Sequence, residues 1–153
     1  MTQAAPEHTT AQPSTSGIEQ ILDTMVLLTR LGPLHRAIVA GDDSMGFYLA
    51  LRRRGFVRVT TPELCRTPKA QHTVGLVAGL SPAGVPDTLL DQLSPYLATH
   101  ARLALLVSSG NDGLKIRAKL EGLGFRIEAG VRCQQGLVLF ADRQDLAQMR
   151  QAA

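Results

Sequence analysis

The residues able to do chemistry gather in one stretch, 38-IVAGDDSMGFYLALRRRGF-56. Its centre, 41-GDDSMG-46, follows an apolar run and precedes a helical pattern, the layout of a ligand-binding turn. A loop that cradles phosphate offers backbone N–H groups in neutral or positive surroundings. Asp42 and Asp43 provide the opposite: two carboxylates repel an anion and attract a cation. The same residues suit the start of a helix. A short oxygen-bearing side chain at Asp43 or Ser44 accepts hydrogen bonds from the first free N–H groups, so capping alone accounts for them without a ligand.

Other candidates are weaker. Arg52, Arg53 and Arg54 sit in the last turn before Gly55, where cations complement the carbonyl end of a helix dipole. Together with Arg66, Lys69, Arg102 and Lys115 they form the set a nucleic-acid binder would use. The net charge is only +3, aromatic residues make up 4% and there is no tryptophan, so rings for base stacking are scarce. Asp42, Ser44 and His72 have the residue types of a hydrolase triad, but no G-x-S-x-G elbow accompanies them. Cys65 stands beside Arg66 and near Lys69, where a thiol pKa can fall, and is read as a surface or packing thiol. Two scattered cysteines and four separated histidines give neither a disulfide framework nor a metal pattern.

The elements that must position the loop follow from periodicity. Of the 153 residues, 44% are apolar, enough for one domain. Residues 1–15 are polar and aperiodic, which predicts a disordered tail, with the domain over 16–153. Ser16 and Glu19 have capping-box spacing, and Ile18, Ile21, Leu22, Met25 and Leu28 fall on one helical face before Gly32-Pro33. Strands are expected at 36–41, 56–60, 72–80 and 101–109, with helices from Asp43 or Ser44 to about 54, over 86–98 with a break at Pro95, and from Asn111-Asp112 to Gly122. Alternation over 125–133, the Gln134-Gln135-Gly136 turn and the apolar 137–141 predict an antiparallel hairpin, then a short helix at about 142–150. Alternating strands and helices mean a mainly parallel, doubly wound sheet with helices on both faces. No apolar run reaches the ~18 residues of a membrane span. With no signal-like start, the expected location is cytoplasmic.

In layout and hydrophobic rhythm the chain resembles the class I S-adenosylmethionine-dependent methyltransferases. The stretch 36-RAIVAGDDSMGFYLALRRRGF-56 is similar to that family's first strand, nucleotide loop and helix. Its fourth strand is matched by 72-HTVGLVAGL-80, its next helix and fifth strand by 88-TLLDQLSPYLATHARLALLVSS-109, and its final hairpin by 122-GLGFRIEAGVRCQQGLVLFADR-143. There are departures. The family's G-x-G-x-G loop is reduced to Gly41 and Gly46, and the acid usual late in the first strand is replaced by Val39 and Ala40. The second strand ends Thr60-Thr61 rather than near an acid, and the first acid after it is Glu63. No Asn-Pro-Pro-Tyr-like motif follows the fourth strand, where Gly79-Leu80-Ser81-Pro82 stands instead.

A unit is also absent. The family places a helix, a strand and another helix between its second and fourth strands, and here only residues 61–71 fill that gap. Eleven residues reach about 36 Å when extended. That suffices for a crossover over one intervening strand but not for three elements. The expected sheet therefore has six strands in the order second, first, third, fourth, sixth, fifth of this chain. The resemblance implies S-adenosylmethionine as cofactor, at Gly41, Asp42, Asp43, Ser44, Gly46 and Glu63, with Thr61, Gly79 and Ser81 nearby; it supplies no catalytic residue and no metal. The function it implies is methyltransferase-like, with weak or lost catalysis. The alternative is a non-catalytic interaction protein, a homodimer paired through the uncovered edge of the second strand.

Overall fold

The computed structural model describes residues 15–66, 68–79, 86–108 and 113–143. Of the expected tail over 1–15, residues 1–14 lie outside them and Thr15 already begins a helix; Ser81, the Asn111-Asp112 helix start and all but the first two residues of the expected terminal helix also lie outside. The chain folds as α1 (Thr15–Thr29), β1 (Ala37–Ala40), α2 (Ser44–Arg53), β2 (Val59–Thr60), β3 (His72–Val77), α3 (Pro86–Leu93), a 3₁₀ turn at Ser94–Tyr96, β4 (Leu97–Val107), α4 (Gly113–Gly122), β5 (Phe125–Cys133) and β6 (Gly136–Arg143).

The six strands lie in the order β2-β1-β3-β4-β6-β5, the order that the resemblance implies once the missing unit is left out and that the 61–71 crossover has the length to make. β2, β1, β3 and β4 are parallel, and β6 runs antiparallel to both β4 and β5. Strand alternation divides the core in two. Ala37, Val39, Leu76, Ala104 and Leu106 face α1 and α2, meeting Leu22, Met25, Phe47 and Leu51. Ile38, Ala40, Val77, Leu103 and Leu105 face the other way, toward Leu90 and Leu93 of α3 and Ile116 and Leu120 of α4. All four residues of β1 are buried, as a strand covered on both faces demands.

Several boundaries differ from expectation. α1 stops at Thr29 rather than at Gly32. Arg30 adopts φ 54° and the Leu31 N–H reaches back to the Val26 carbonyl at 3.1 Å, so an arginine fills the left-handed position that glycine usually takes. α1 begins at Thr15, so Ser16 lies inside the helix and not at its cap; the Glu19 carboxylate accepts from Arg54, the residue that caps α2, and Asp23 takes the same guanidinium at 2.8 Å. β2 shrinks to two residues, because Gly55 (φ 95°) and the turn after it consume the start of the expected strand. β4 starts early, at Leu97: Pro95 ends α3 in the 3₁₀ turn, and the freed chain extends at once. Asp142 and Arg143 continue β6, pairing with Arg126 and Phe125, instead of opening a helix.

Candidate functional site

The loop after β1 is shaped by what lies beside it. Gly41 has φ 108°, and a Cβ there would stand 2.6 Å from the Gly79 carbonyl oxygen and 2.9 Å from the Ala78 nitrogen. Only glycine fits so close to another backbone. The approach is used for hydrogen bonds. The Asp42 N–H donates to the Gly79 carbonyl at 3.2 Å, the Asp43 N–H to the Ala78 carbonyl at 3.1 Å, and the Ala78 N–H to the Ala40 carbonyl at 2.7 Å. The pairing of β1 with β3 thus continues past the strand ends. The Ser44 N–H turns back to the Gly41 carbonyl at 3.3 Å, and the Phe47 N–H donates to the Asp43 carbonyl at 3.1 Å to open α2.

Two consequences follow for chemistry. First, the Asp42, Asp43 and Ser44 N–H groups are committed to carbonyls, which takes three backbone donors away from any phosphate at this turn. Second, the capping reading of Asp43 is corrected. Asp43 holds the cap position with φ −104° and ψ 28°, and its side chain makes no cap hydrogen bond. A capping residue is normally extended, which swings its oxygen over the next N–H groups. Here the Asp43 N–H is drawn toward β3 and the backbone lies in the bridge region instead. Asp42 and Asp43 are both exposed, and neither carboxylate has an ion-pair partner among the described residues.

The remaining predicted residues are only partly gathered. Gly46 lies inside α2, where an added Cβ would meet Ile18 of α1 at 3.6 Å; it faces the core side, not the loop. Glu63 is exposed in the turn that follows β2, the strand next to β1. That turn is closed by the Leu64 N–H, which bonds the Thr61 carbonyl at 3.0 Å, while Thr61 itself is buried. Gly79 supplies the carbonyl that holds Asp42.

A cleft of about 500 Å³ that the sequence did not suggest opens at the same end of the sheet, between the end of β4 and the β5–β6 turn. Gly136 lies so close to Val107 that a Cβ would strike its carbonyl oxygen. The Cys133 thiol donates to the Gly136 carbonyl at 3.3 Å, and Gln135 Oε1, on the cleft wall, is buried without a hydrogen-bond partner among the described residues. β4 stands two strand positions from β1, about 10 Å. The polar turn 134-QQG-136 was the only sequence signal for this cleft.

The triad of Asp42, Ser44 and His72 is not assembled. Ser44 follows the C-terminal end of β1, whereas His72 opens β3, about 17 Å lower along the strands. The arginines of the nucleic-acid set are divided. Arg54 is paired with Glu19 and Asp23, Arg52 donates to the Val57 carbonyl at 2.8 Å and Arg102 to the Thr29 carbonyl at 2.9 Å. Arg52 and Arg53 end α2 and Arg54 caps it, on one face, whereas Lys115 belongs to α4 on the other. No group of three or more His, Cys, Asp or Glu side chains is arranged for a metal among the described residues. No helix there is long and apolar enough to cross a membrane.

No family model matches the chain, and no curated protein does. Solved structures do. Precorrin-6y C5,15-methyltransferase from Geobacter metallireducens is 12% identical, with TM-score 0.61 over 90% of this chain and 94% of its own. A SAM-dependent methyltransferase from Aquifex aeolicus is 13% identical, with TM-score 0.53 over 84% of this chain and 98% of its own. The [4+2]-cyclase SpnF is 11% identical, with TM-score 0.59 over 90% and 85%. The fold is methyltransferase-like, as the strand order and terminal hairpin indicate. The presence of a cyclase among these structures shows that the fold does not fix the reaction.

Proposed function

We propose that the protein is a methyltransferase-like binder of S-adenosylmethionine, with weak or lost catalysis, and that Asp42 and Asp43 attract the cationic end of that ligand. The observation that carries this reading is the pair of exposed, unpaired carboxylates at the C-terminal end of β1, where open α/β sheets bind ligands. Their N–H groups are spent on the Ala78 and Gly79 carbonyls, which disfavours a pyrophosphate-bearing dinucleotide and leaves a cation acceptable. Gly41 permits the close turn, Ser44 starts the helix and Glu63 is the acid available for ribose hydroxyls; Gly46 contributes packing. S-adenosylmethionine supplies an activated methyl group, and methyl transfer depends mostly on positioning. The 500 Å³ cleft beside Val107 and Gln135 is the room for a second reactant. Its buried, unpartnered Gln135 oxygen favours a ligand that donates a hydrogen bond.

Calorimetric titration tests this. S-adenosylmethionine is expected to bind saturably, and Asp42→Asn with Asp43→Asn to weaken it about fivefold to tenfold. No heat at millimolar ligand sinks the reading.

A second reading, the non-catalytic homodimer, draws on the edge at β2. Val57 and Leu64, flanking it, are 63% and 47% exposed. The two-residue strand offers few ladder bonds, so the contact would rest on these apolar side chains. Sedimentation showing only monomer at high micromolar concentration removes it.

A further inference from the structure

A different cleft, of about 370 Å³, lies beside the starts of β1, β2 and β3. Arg36, Arg58, Arg66 and His72 line it, and among the described residues no acidic one does. Its origin is in the topology. A parallel crossover usually carries a helix that covers the strands it passes. Here β2 returns to β3 through the irregular residues 61–71, tied by the Ala70 N–H to the Pro95 carbonyl at 2.9 Å. α3 and α4 cover the β3–β4 side of that face. The start of β1 and β2 on the same face is left to the crossover.

Strand alternation then sets the chemistry. Arg36 shares a face with Ile38 and Ala40, and Arg58 shares a face with Thr60. Ala37 pairs with Val59 and Ile38 with Thr60, so Arg36 and Arg58 leave adjacent strands at the same level and on the same side. Neighbouring strands are only about 4.8 Å apart. Two like charges at that spacing destabilise each other unless something neutralises them. Among the described residues none of the three arginines is ion-paired, although Arg54, Arg117 and Arg126 each have a carboxylate partner. Arg58 is steadied by one hydrogen bond, from Nη1 to the Leu34 carbonyl at 3.3 Å, which leaves most of its donors unused. His72, 2% exposed, is fixed through Nδ1 to the Tyr96 carbonyl at 3.1 Å and packs edge-on against that ring.

We propose that this cleft is an anion site for a small phosphate-bearing molecule, held by the guanidinium groups of Arg36, Arg58 and Arg66. Guanidinium forks match phosphate oxygens in pairs, and three such charges suit a phosphate monoester of nearly two negative charges better than a single carboxylate. The three arginines line one open cleft of limited size and are not drawn out as a stripe, which favours a small ligand over a polynucleotide backbone. It lies at the opposite end of the strands from Asp42 and Asp43 and does not depend on the cofactor reading.

The test is an NMR titration of the full chain with pyrophosphate and with glycerol phosphate at about 150 mM salt, read at the His72 ring and the backbone amides of 58–66. Saturable shifts confined to the cleft are expected, with Kd about 1 mM or tighter. Arg36→Gln or Arg58→Gln should weaken binding about tenfold or more. Arg66→Gln, in the irregular crossover, should weaken it without touching a strand. Shifts still linear at about 20 mM ligand overturn the proposal, and so does affinity indifferent to all three substitutions. Tighter binding of an oligonucleotide, with shifts spreading to Arg52–Arg54, also overturns it, since the backbone of a nucleic acid would then be the ligand.

Discussion

The two ends of the parallel strands have been finished in opposite ways. At the C-terminal end the loop after β1 is stitched to β3, with Asp42 and Asp43 donating to the Gly79 and Ala78 carbonyls. At the N-terminal end a short crossover leaves a cleft, and Arg36, Arg58 and Arg66 line it. The stitched end consumes backbone donors and turns carboxylates outward. The uncovered end consumes few side-chain donors and leaves cations facing a cavity. The two proposed ligands differ in sign accordingly: a cation at the acidic loop, an anion at the basic cleft.

The largest effect should come from breaking the stitch. Gly41→Ala puts a Cβ 2.6 Å from the Gly79 carbonyl oxygen at φ 108°. Neither flexible side chain nor open space can absorb that contact, so the loop must peel from β3. A destabilisation of about 2–4 kcal/mol is expected in chemical denaturation. A change below about 1 kcal/mol would mean that the loop parts from β3 without resistance.

The next contrast is between arginines. Arg54 joins α2 to Glu19 and Asp23 of α1, and its side chain is 25% exposed. Arg54→Ala should lower stability by about 1–2 kcal/mol. Arg58→Ala, at the uncovered end, should stay within about 0.5 kcal/mol, and at low salt it should stabilise the protein slightly by relieving Arg36. Equal losses at both positions would show that the cleft arginines serve the fold and not a ligand.

The fold was more legible than either end. Alternation over 125–133 announced the hairpin, and the family resemblance, trimmed to the short 61–71 gap, gave the strand order. Glu19 misled because its capping-box spacing is local, whereas the partner it took, Arg54, lies 35 residues away. Asp43 misled for a similar reason. Capping preference reads one helix, but the Asp43 N–H was claimed by Ala78 of a neighbouring strand. The basic cleft was hidden because Arg36 and Arg58 meet only through strand pairing and Arg66 joins them only through the path of the crossover. A signal did exist: Arg36 and Arg58 each stand directly before the first residue of their strand, Ala37 and Val59. Combined with the expected order, that shared position puts them side by side.

His72 offers a pH test of the uncovered end. Burial is the main cause that pushes its pKa below the ordinary imidazole value of about 6.5. The Tyr96 carbonyl works in the other direction, and Arg36 adds to the lowering. The folded protein therefore prefers the neutral ring. Stability from this group is present above pH 6.5 or so and is lost as the pH falls through the lowered folded value, because the unfolded chain binds the proton first. Phenylalanine or glutamine at His72 should flatten that acid slope in thermal unfolding, and phosphate in the cleft should lift the His72 pKa. A slope unchanged by His72→Gln would assign the acid sensitivity elsewhere.

The smallest effect is the most discriminating at the stitched end. If Asp43 capped α2, Asp43→Ala would lose about 0.5–2 kcal/mol. Its side chain makes no cap hydrogen bond, so only the weak attraction of an exposed charge for the helix N-terminus is removed. The expected change in unfolding free energy is within about 0.5 kcal/mol, and what remains should fade with added salt. A larger, salt-independent loss would return Asp43 to its helix and take from the loop the carboxylate that makes it attractive to a cation. A small loss accompanied by weakened S-adenosylmethionine binding would separate the two roles, since a cap acts on the folded chain alone and a ligand contact acts only when the ligand is there.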